Sequence, residues 1–165
     1  MADLSDSSRI PALGKRGGGW VFIQVILFWV LIAAGVRGKG DIDGPMLLVA
    51  VSTGTFLVIL GAVLMFQGIR GLRESVTPMP KPKPDGDLVT DGVYAYVRHP
   101  IYLGIILVAF GWSVAMDSVY ALIVALVYVV FYDLKSRREE AWLRAQYPEY
   151  VTYAAHTRRF VPYVY

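Results

Sequence analysis

The stretch WVFIQVILFWVLIAAGV, at residues 20–36, contains no charged side chain and decides the fold class. A second uncharged stretch, MLLVAVSTGTFLVILGAVLMF, occupies residues 46–66. Each approaches the ~20 apolar residues that a helix needs to cross about 30 Å of hydrocarbon. The sequence therefore predicts two membrane-spanning helices within residues 20–70.

Two shorter apolar stretches follow at residues 101–116 and 119–131, with only Asp117 and Ser118 between them. At about 1.5 Å per residue the last stretch is too short to span alone, so we expect it to continue through Tyr132 to Leu134. A tight hairpin of two spans over residues 101–134 is the prediction, and a re-entrant pair is the alternative. The fold class is therefore all-α, a polytopic membrane bundle of about four transmembrane helices.

The composition excludes several kinds of site and partner. Of the 165 residues, 56% are hydrophobic and 18% are charged, and the net charge is +3. This charge is too small for nucleic-acid binding, and no basic patch alternates with aromatic residues. The chain has no cysteine, which excludes disulfides, thiolate metal sites and cysteine nucleophiles. We expect no metal site and no nucleic-acid partner.

The remaining segments are polar. Residues 1–19 are predicted to be a flexible cytosolic tail, and the first span is expected to act as an uncleaved anchor and not as a signal peptide. Residues 71–100 form a cytosolic loop, in which PMPKPKPDG favours an extended, polyproline-like linker. Residues 135–165 are expected to form a cytosolic pair of short amphipathic helices, broken at YPEY, with the second running from Pro148 to about Thr157.

Basic residues collect in alternate loops, and this sets the predicted orientation. By the positive-inside rule both termini and the middle loop face the cytosol. The residues that carry this prediction are Arg9, Lys15, Arg16, Arg70, Arg73, Lys81, Lys83, Arg98, Lys135, Arg137, Arg138, Arg144, Arg158 and Arg159.

Polar side chains capable of chemistry concentrate at the cytosolic end of the predicted hairpin. His99 and Tyr102 enter the third span there, and Lys135, Glu139 and Glu140 leave the fourth. Because the two spans of a hairpin run antiparallel, these groups are expected to meet at one membrane depth.

Two motifs together resemble a known family. LVTDGVYAYVRHPIYLG at residues 88–104 carries the pattern GxYxxxRHPxYxG, and EEAWLRAQYPEYVTY follows at residues 139–153. This combination resembles the C-terminal half of the isoprenylcysteine carboxyl methyltransferase family, and it is similar to the related phospholipid N-methyltransferases. The resemblance covers residues 87–162, roughly half the chain.

The resemblance implies a membrane enzyme that uses S-adenosylmethionine without a Rossmann domain. Carried over by position, the family's substrate-facing arginine falls on Lys135, which with Glu139 is the implied catalytic pair. Lysine keeps the positive charge but lacks the bidentate fork that matches a carboxylate. The implied cofactor-binding residues are Leu88, Val89, Tyr94, His99, Pro100, Tyr102, Glu139 and Glu140.

Each of these residues also has a plainer interpretation. Arg98 could bind lipid phosphate at the interface, and the tyrosines could form an aromatic belt, as we expect for Tyr96. Lys135 and Glu139 could be a surface pair one helical turn apart, which stabilises a helix by only a few tenths of a kcal/mol.

Two other functions remain open from the sequence. One is an NADPH-dependent sterol-type reductase, since such proteins share an HPxYxG-like stretch. The other is a non-catalytic membrane module that binds lipid or a partner. For a methyltransferase the acceptor is equally open: a prenylated cysteine, a phospholipid amine, a small thiol or a hydrophobic metabolite, methylated on oxygen, nitrogen or sulfur. The oligomeric state is also undetermined.

Overall fold

The computed structural model describes residues 10–72 and 75–161. The first nine residues of the predicted tail with Arg9, the basic Arg73 and residues 162–165 lie outside this part of the chain. The elements in order are α1 (Gly18–Arg37), α2 (Gly44–Leu72), a 3₁₀ turn (Gly92–Ala95), α3 (Pro100–Ala115), α4 (Val119–Gln146) and α5 (Tyr150–His156).

The prediction of an all-α polytopic membrane bundle is confirmed. Helices α1, α2 and α4 are long and apolar enough to cross a membrane, while α3 is apolar but has only 16 residues. At about 1.5 Å per residue α3 is about 24 Å long, somewhat less than the hydrocarbon thickness. Large apolar side chains such as Phe22 and Leu48 are exposed on the outside of the bundle, as lipid contact requires.

Helices α2 and α3 pack with their backbones in contact, through paired glycines. Gly61 faces Gly104, and a Cβ built on either would lie 2.5 Å from the carbonyl oxygen of the other. Gly54 and Gly111 form a second such pair. Without a hydrophobic force between helices in lipid, small residues that allow close approach are a main source of helix association.

A short turn joins α3 to α4 in a helical hairpin. Asp117 adopts a positive φ of 49° in this turn. Ser118 then caps α4, because its Oγ accepts from the backbone N–H of Ala121 at 3.2 Å. The same hydroxyl donates to the carbonyl of Ala34 at 3.0 Å, which ties the hairpin to α1.

The end of α4 differs from the expected pair of tail helices. α4 runs unbroken to Gln146, because residues 119–146 contain neither glycine nor proline. The first predicted tail helix is therefore the C-terminal part of the fourth span's helix. Only α5 is a separate helix, and it begins at Tyr150, two residues after Pro148.

The polar segments before α1 and after α2 are also more ordered than the expected tail and linker. Ile10 is buried, and the indole N–H of Trp20 donates to the carbonyl of Pro11 at 3.2 Å. Pro80 is buried against Gly17, where a Cβ would lie 2.9 Å from the proline Cδ. Gly17 has a φ of 80°, a conformation that glycine adopts without strain.

Candidate functional site

A cavity of about 190 Å³ lies where α2 ends and α1 and α3 begin. The proline-rich loop covers it, since Gln146 Nε2 donates to the carbonyl of Lys83 at 2.8 Å and the Tyr147 hydroxyl to that of Gly86 at 2.5 Å. All the residues predicted for the site except Glu140 line it. They are Leu88, Val89, Tyr94, His99, Pro100, Tyr102, Lys135 and Glu139.

The first turn of α3 and the C-terminal part of α4 position one cluster. Pro100 starts α3, which places His99 just before the helix. The imidazole of His99 stacks on the Tyr102 ring, with centroids 5.2 Å apart and planes 3° from parallel. The Tyr102 hydroxyl donates to Glu139 Oε2. A carboxylate, a hydroxyl and an imidazole therefore share one wall of the cavity.

Lys135 lies one helical turn before Glu139, with a side chain that is almost fully buried. Its ammonium donates to Gln24 Oε1 on α1 at 2.7 Å, and it lies 5.0 Å from the centre of the Tyr102 ring. Within the described residues no carboxylate forms an ion pair with it. The interpretation of Lys135 and Glu139 as a solvated surface pair is therefore wrong, because both side chains face the cavity.

Glu140 does not line the cavity, although it is adjacent to Glu139. Its carboxylate is 1% exposed and lies 2.9 Å from Arg98 Nε, 3.2 Å from His99 Nε2 and 3.2 Å from Arg144 Nη2. Arg159 Nε approaches it at 3.3 Å. Glu140 therefore binds residues 98–100, the RHP segment, from outside the cavity wall.

Arg98 and His99 link the RHP segment to residues 157–159. The guanidinium of Arg98 donates to the carbonyl of Thr157, while its backbone N–H donates to the carbonyl of Arg158 at 2.8 Å. The backbone N–H of His99 donates to the carbonyl of Arg159 at 3.1 Å. The lipid-phosphate interpretation of Arg98 is wrong, since its side chain is only 10% exposed and has internal partners.

Sequence reasoning missed several residues of the cavity wall, notably Gln24 and the tail tyrosines Tyr150 and Tyr153. A signal for Gln24 existed, because strongly polar side chains inside spans are expensive and usually functional. Tyr153 donates to the carbonyl of Tyr94 at 2.7 Å. Burial raises the pKa of Tyr153 to about 12, so the hydroxyl keeps its proton at neutral pH.

A family model described as phospholipid methyltransferase matches residues 49–150, which are more than half of the chain. The chain belongs to the phospholipid methyltransferase family. The match runs from α2 through the loop and the RHP segment to the start of α5, so most of the cavity lies inside it. The predicted relationship to the membrane methyltransferases is thereby confirmed.

Individual relatives match over very different lengths. The cobalt-zinc-cadmium resistance protein CzcN of Cupriavidus metallidurans is 26% identical over 173 residues, covering 98% of this chain and 75% of that protein. The protein-S-isoprenylcysteine O-methyltransferase of Schizosaccharomyces pombe is 44% identical over 57 residues, which is 34% of this chain and 24% of the relative. The nickel-cobalt-cadmium resistance protein NccN of Alcaligenes xylosoxydans xylosoxydans is 34% identical over 77 residues, covering 46% and 36%.

The family match and the helices together define the general class. This member of the phospholipid methyltransferase family is a multi-pass membrane protein, and three helices in the described part of the chain are of membrane-spanning length. Its cavity lies at the end of the bundle, beside the lipid-facing helices.

Proposed function

We propose that this protein transfers a methyl group from S-adenosylmethionine to a lipophilic acceptor that approaches from the bilayer. The observation that carries the proposal is the cavity, which joins the His99–Tyr102–Glu139 cluster to the buried ammonium of Lys135. Following the positive-inside rule, the cavity opens to the cytosol, and both termini lie on that side.

The residues around the cavity fit this cofactor. S-adenosylmethionine supplies a methyl group on a positively charged sulfur, together with an aromatic base, a ribose and an amino-acid end. Glu139 can accept from a ribose hydroxyl or an ammonium, and tyrosine faces suit the base and the cation. The buried hydroxyl of Tyr150, which also lines the cavity, has no hydrogen-bond partner among the described residues.

The task of these side chains is alignment. Methyl transfer is an in-line displacement, so holding the two reactants in register and excluding water lowers the barrier more than a strong base would. The loop above the cavity and the stacked His99 and Tyr102 below it form a preorganised, partly closed site.

Lys135 and Gln24 define the acceptor side of the cavity in this proposal. Lys135 belongs to the helix that spans the membrane, and Gln24 belongs to the first span. An ammonium without a paired carboxylate can bind an anionic or strongly polar group of the acceptor. The acceptor would therefore be a lipophilic molecule with such a group beside its reactive atom.

Glu139→Gln is expected to weaken binding of S-adenosylhomocysteine about tenfold or more, since a hydrogen bond to a charged group contributes about 1.5–3 kcal/mol. Isothermal calorimetry on the purified protein in detergent measures this, with NADPH titrated in parallel. The matched control is Glu149→Gln, because Glu149 is exposed and lies outside the cavity wall.

Binding of S-adenosylhomocysteine by the wild type and the control, weakened in Glu139→Gln, would support the proposal. Binding of NADPH alone would point to the reductase. A folded protein that binds neither ligand would overturn the proposed activity and favour the non-catalytic module.

Lys135→Met is expected to leave the affinity for S-adenosylhomocysteine within about threefold, yet to lower methyl transfer at least about tenfold, because one lost charged contact has that size. The assay follows a radiolabelled methyl group into a lipid extract and into prenylcysteine, phospholipid-amine and thiol acceptors. The control is Lys39→Met, at the exposed loop after α1. If cofactor affinity collapses instead, Lys135 faces the cofactor and not the acceptor.

A further inference from the structure

Glu140 determines which ring nitrogen of His99 can donate. The distance from His99 Nε2 to Glu140 Oε1 is 3.2 Å. An ionised carboxylate only accepts hydrogen bonds, and Glu140 also has arginine partners. The hydrogen in this contact therefore belongs to Nε2 of the imidazole.

Charged groups of both signs surround Glu140 and His99. Three guanidinium groups already surround this one carboxylate, those of Arg98, Arg144 and Arg159, and Asp133 offsets only the last of them, at 3.1 Å. Glu139 and Lys135 line the same cavity as His99. The neutral ring with its proton on Nε2 has a lone pair on Nδ1.

Packing also fixes the direction of the ring. His99 is stacked on Tyr102 at 5.2 Å, and Phe160 contacts it with centroids 6.0 Å apart. Its Nδ1 has no hydrogen-bond partner among the described residues, and His99 lines the cavity. The ring therefore cannot turn to offer its Nε2 hydrogen to a ligand without losing Glu140.

We propose that His99 acts in the cavity as a hydrogen-bond acceptor, through Nδ1, and so selects a ligand that presents an N–H or O–H donor there. Glu140 is the positioning residue, since it acts on the ligand only through His99. This inference rests on the proposed function for the identity of the ligand. In S-adenosylhomocysteine the available donors are the ammonium, the adenine amine and the ribose hydroxyls.

Nitrogen-15 NMR of histidine-labelled, tag-free protein in detergent tests the tautomer directly at mildly alkaline pH. The chain has 2 histidines, and His156 provides a reference signal from an exposed helix end, with Nδ1 2.8 Å from the carbonyl of Thr152. We expect the His99 signals of a protonated Nε2 and an unprotonated Nδ1. Addition of S-adenosylhomocysteine should shift the Nδ1 signal more than the Nε2 signal.

A His99 protonated on Nδ1, or on both nitrogens, would overturn the inference. So would a ligand that binds without moving the Nδ1 signal. A purely structural histidine could have the same tautomer, but its Nδ1 signal would not respond to the ligand. If the wild type fails to bind S-adenosylhomocysteine at all, the proposed function fails, whereas binding with the opposite tautomer removes this inference alone.

The variant His99→Phe identifies the ligand group that donates to Nδ1. It keeps an aromatic ring against Tyr102 but removes the accepting nitrogen. We expect about tenfold weaker binding of S-adenosylhomocysteine, with the unfolding temperature as the check on folding. If the loss disappears with 5′-methylthioadenosine, the donor is the ammonium. If it disappears with S-inosylhomocysteine, the donor is the adenine amine, and an equal loss for all three ligands assigns the ribose. Unchanged affinity in a folded variant would contradict the proposal.

Discussion

Glu140→Gln is expected to destabilise the folded protein by about 3–5 kcal/mol, the usual consequence of removing one partner from a buried ion pair. The amide would leave the guanidinium groups of Arg98, which is 10% exposed, and Arg144, which is 26% exposed, without this carboxylate. The change therefore also loosens the RHP segment. Unfolding temperature in detergent and the affinity for S-adenosylhomocysteine should both fall.

Glu149→Gln is again the matched control, since the same chemical change at an exposed position should leave the unfolding temperature unaltered. A second variant tests the cause. Adding Arg144→Met to Glu140→Gln removes one of these two guanidinium charges, so the double variant should be more stable than the sum of the single changes predicts. A Glu140→Gln protein as stable as the wild type would show that this carboxylate does not hold the cluster.

The sequence was sufficient for the features that depend on local pattern. The uncharged stretches that became α1 and α2 were visible as membrane spans, because length and apolarity alone decide that property. The motif positions predicted one part of the cavity wall, which includes Leu88, Tyr102 and Glu139.

The orientation of adjacent residues on a helix could be determined only from the structure. Glu139 and Glu140 are consecutive, so their side chains leave the helix about 100° apart, and one faces the cavity while the other faces the arginines. The rotation of α4 against α3 decides which of the two side chains faces the cavity. Sequence spacing does not fix that rotation, because residues 119–131 of the same helix are apolar on every side.

Contacts between distant parts of the chain were equally inaccessible. Gln24 and Lys135 are 111 positions apart, and Arg98 and Glu140 are 42 apart. The proline-rich loop was expected to be a linker, because its composition shows only that it cannot be helical. Its place above the cavity depends on hydrogen bonds from Gln146 and Tyr147, whose position in turn follows from the unbroken α4.

The spacing of the glycines in α2 indicates a packing surface, which the hydrophobic pattern alone does not indicate. Gly54, Gly61 and Gly68 are spaced by seven residues and are the buried residues of this helix. Seven residues are close to two helical turns, so the glycines form one stripe, and that stripe is the surface against which α3 packs.

Gly61→Ala is expected to destabilise the bundle by about 1–3 kcal/mol, the usual cost of overpacking a close contact. The new Cβ would lie 2.5 Å from the carbonyl oxygen of Gly104 and 2.9 Å from Val108 Cγ2. Since the opposing atom is backbone, relief requires α3 to move away from α2. Because α3 carries Tyr102, the affinity for S-adenosylhomocysteine should fall together with the unfolding temperature.

Gly18→Ala is the matched control, because a Cβ there has only the Met79 sulfur at 4.0 Å within reach. It should be neutral or slightly stabilising, as alanine restricts the unfolded chain. The reciprocal geometry gives a sharper test, since Gly104→Ala forces the same separation as Gly61→Ala. Once the helices have moved apart, the second methyl group adds little, so the double variant should cost clearly less than the sum of the two. Strict additivity would mean that each alanine is accommodated locally and that α2 and α3 do not depend on this contact.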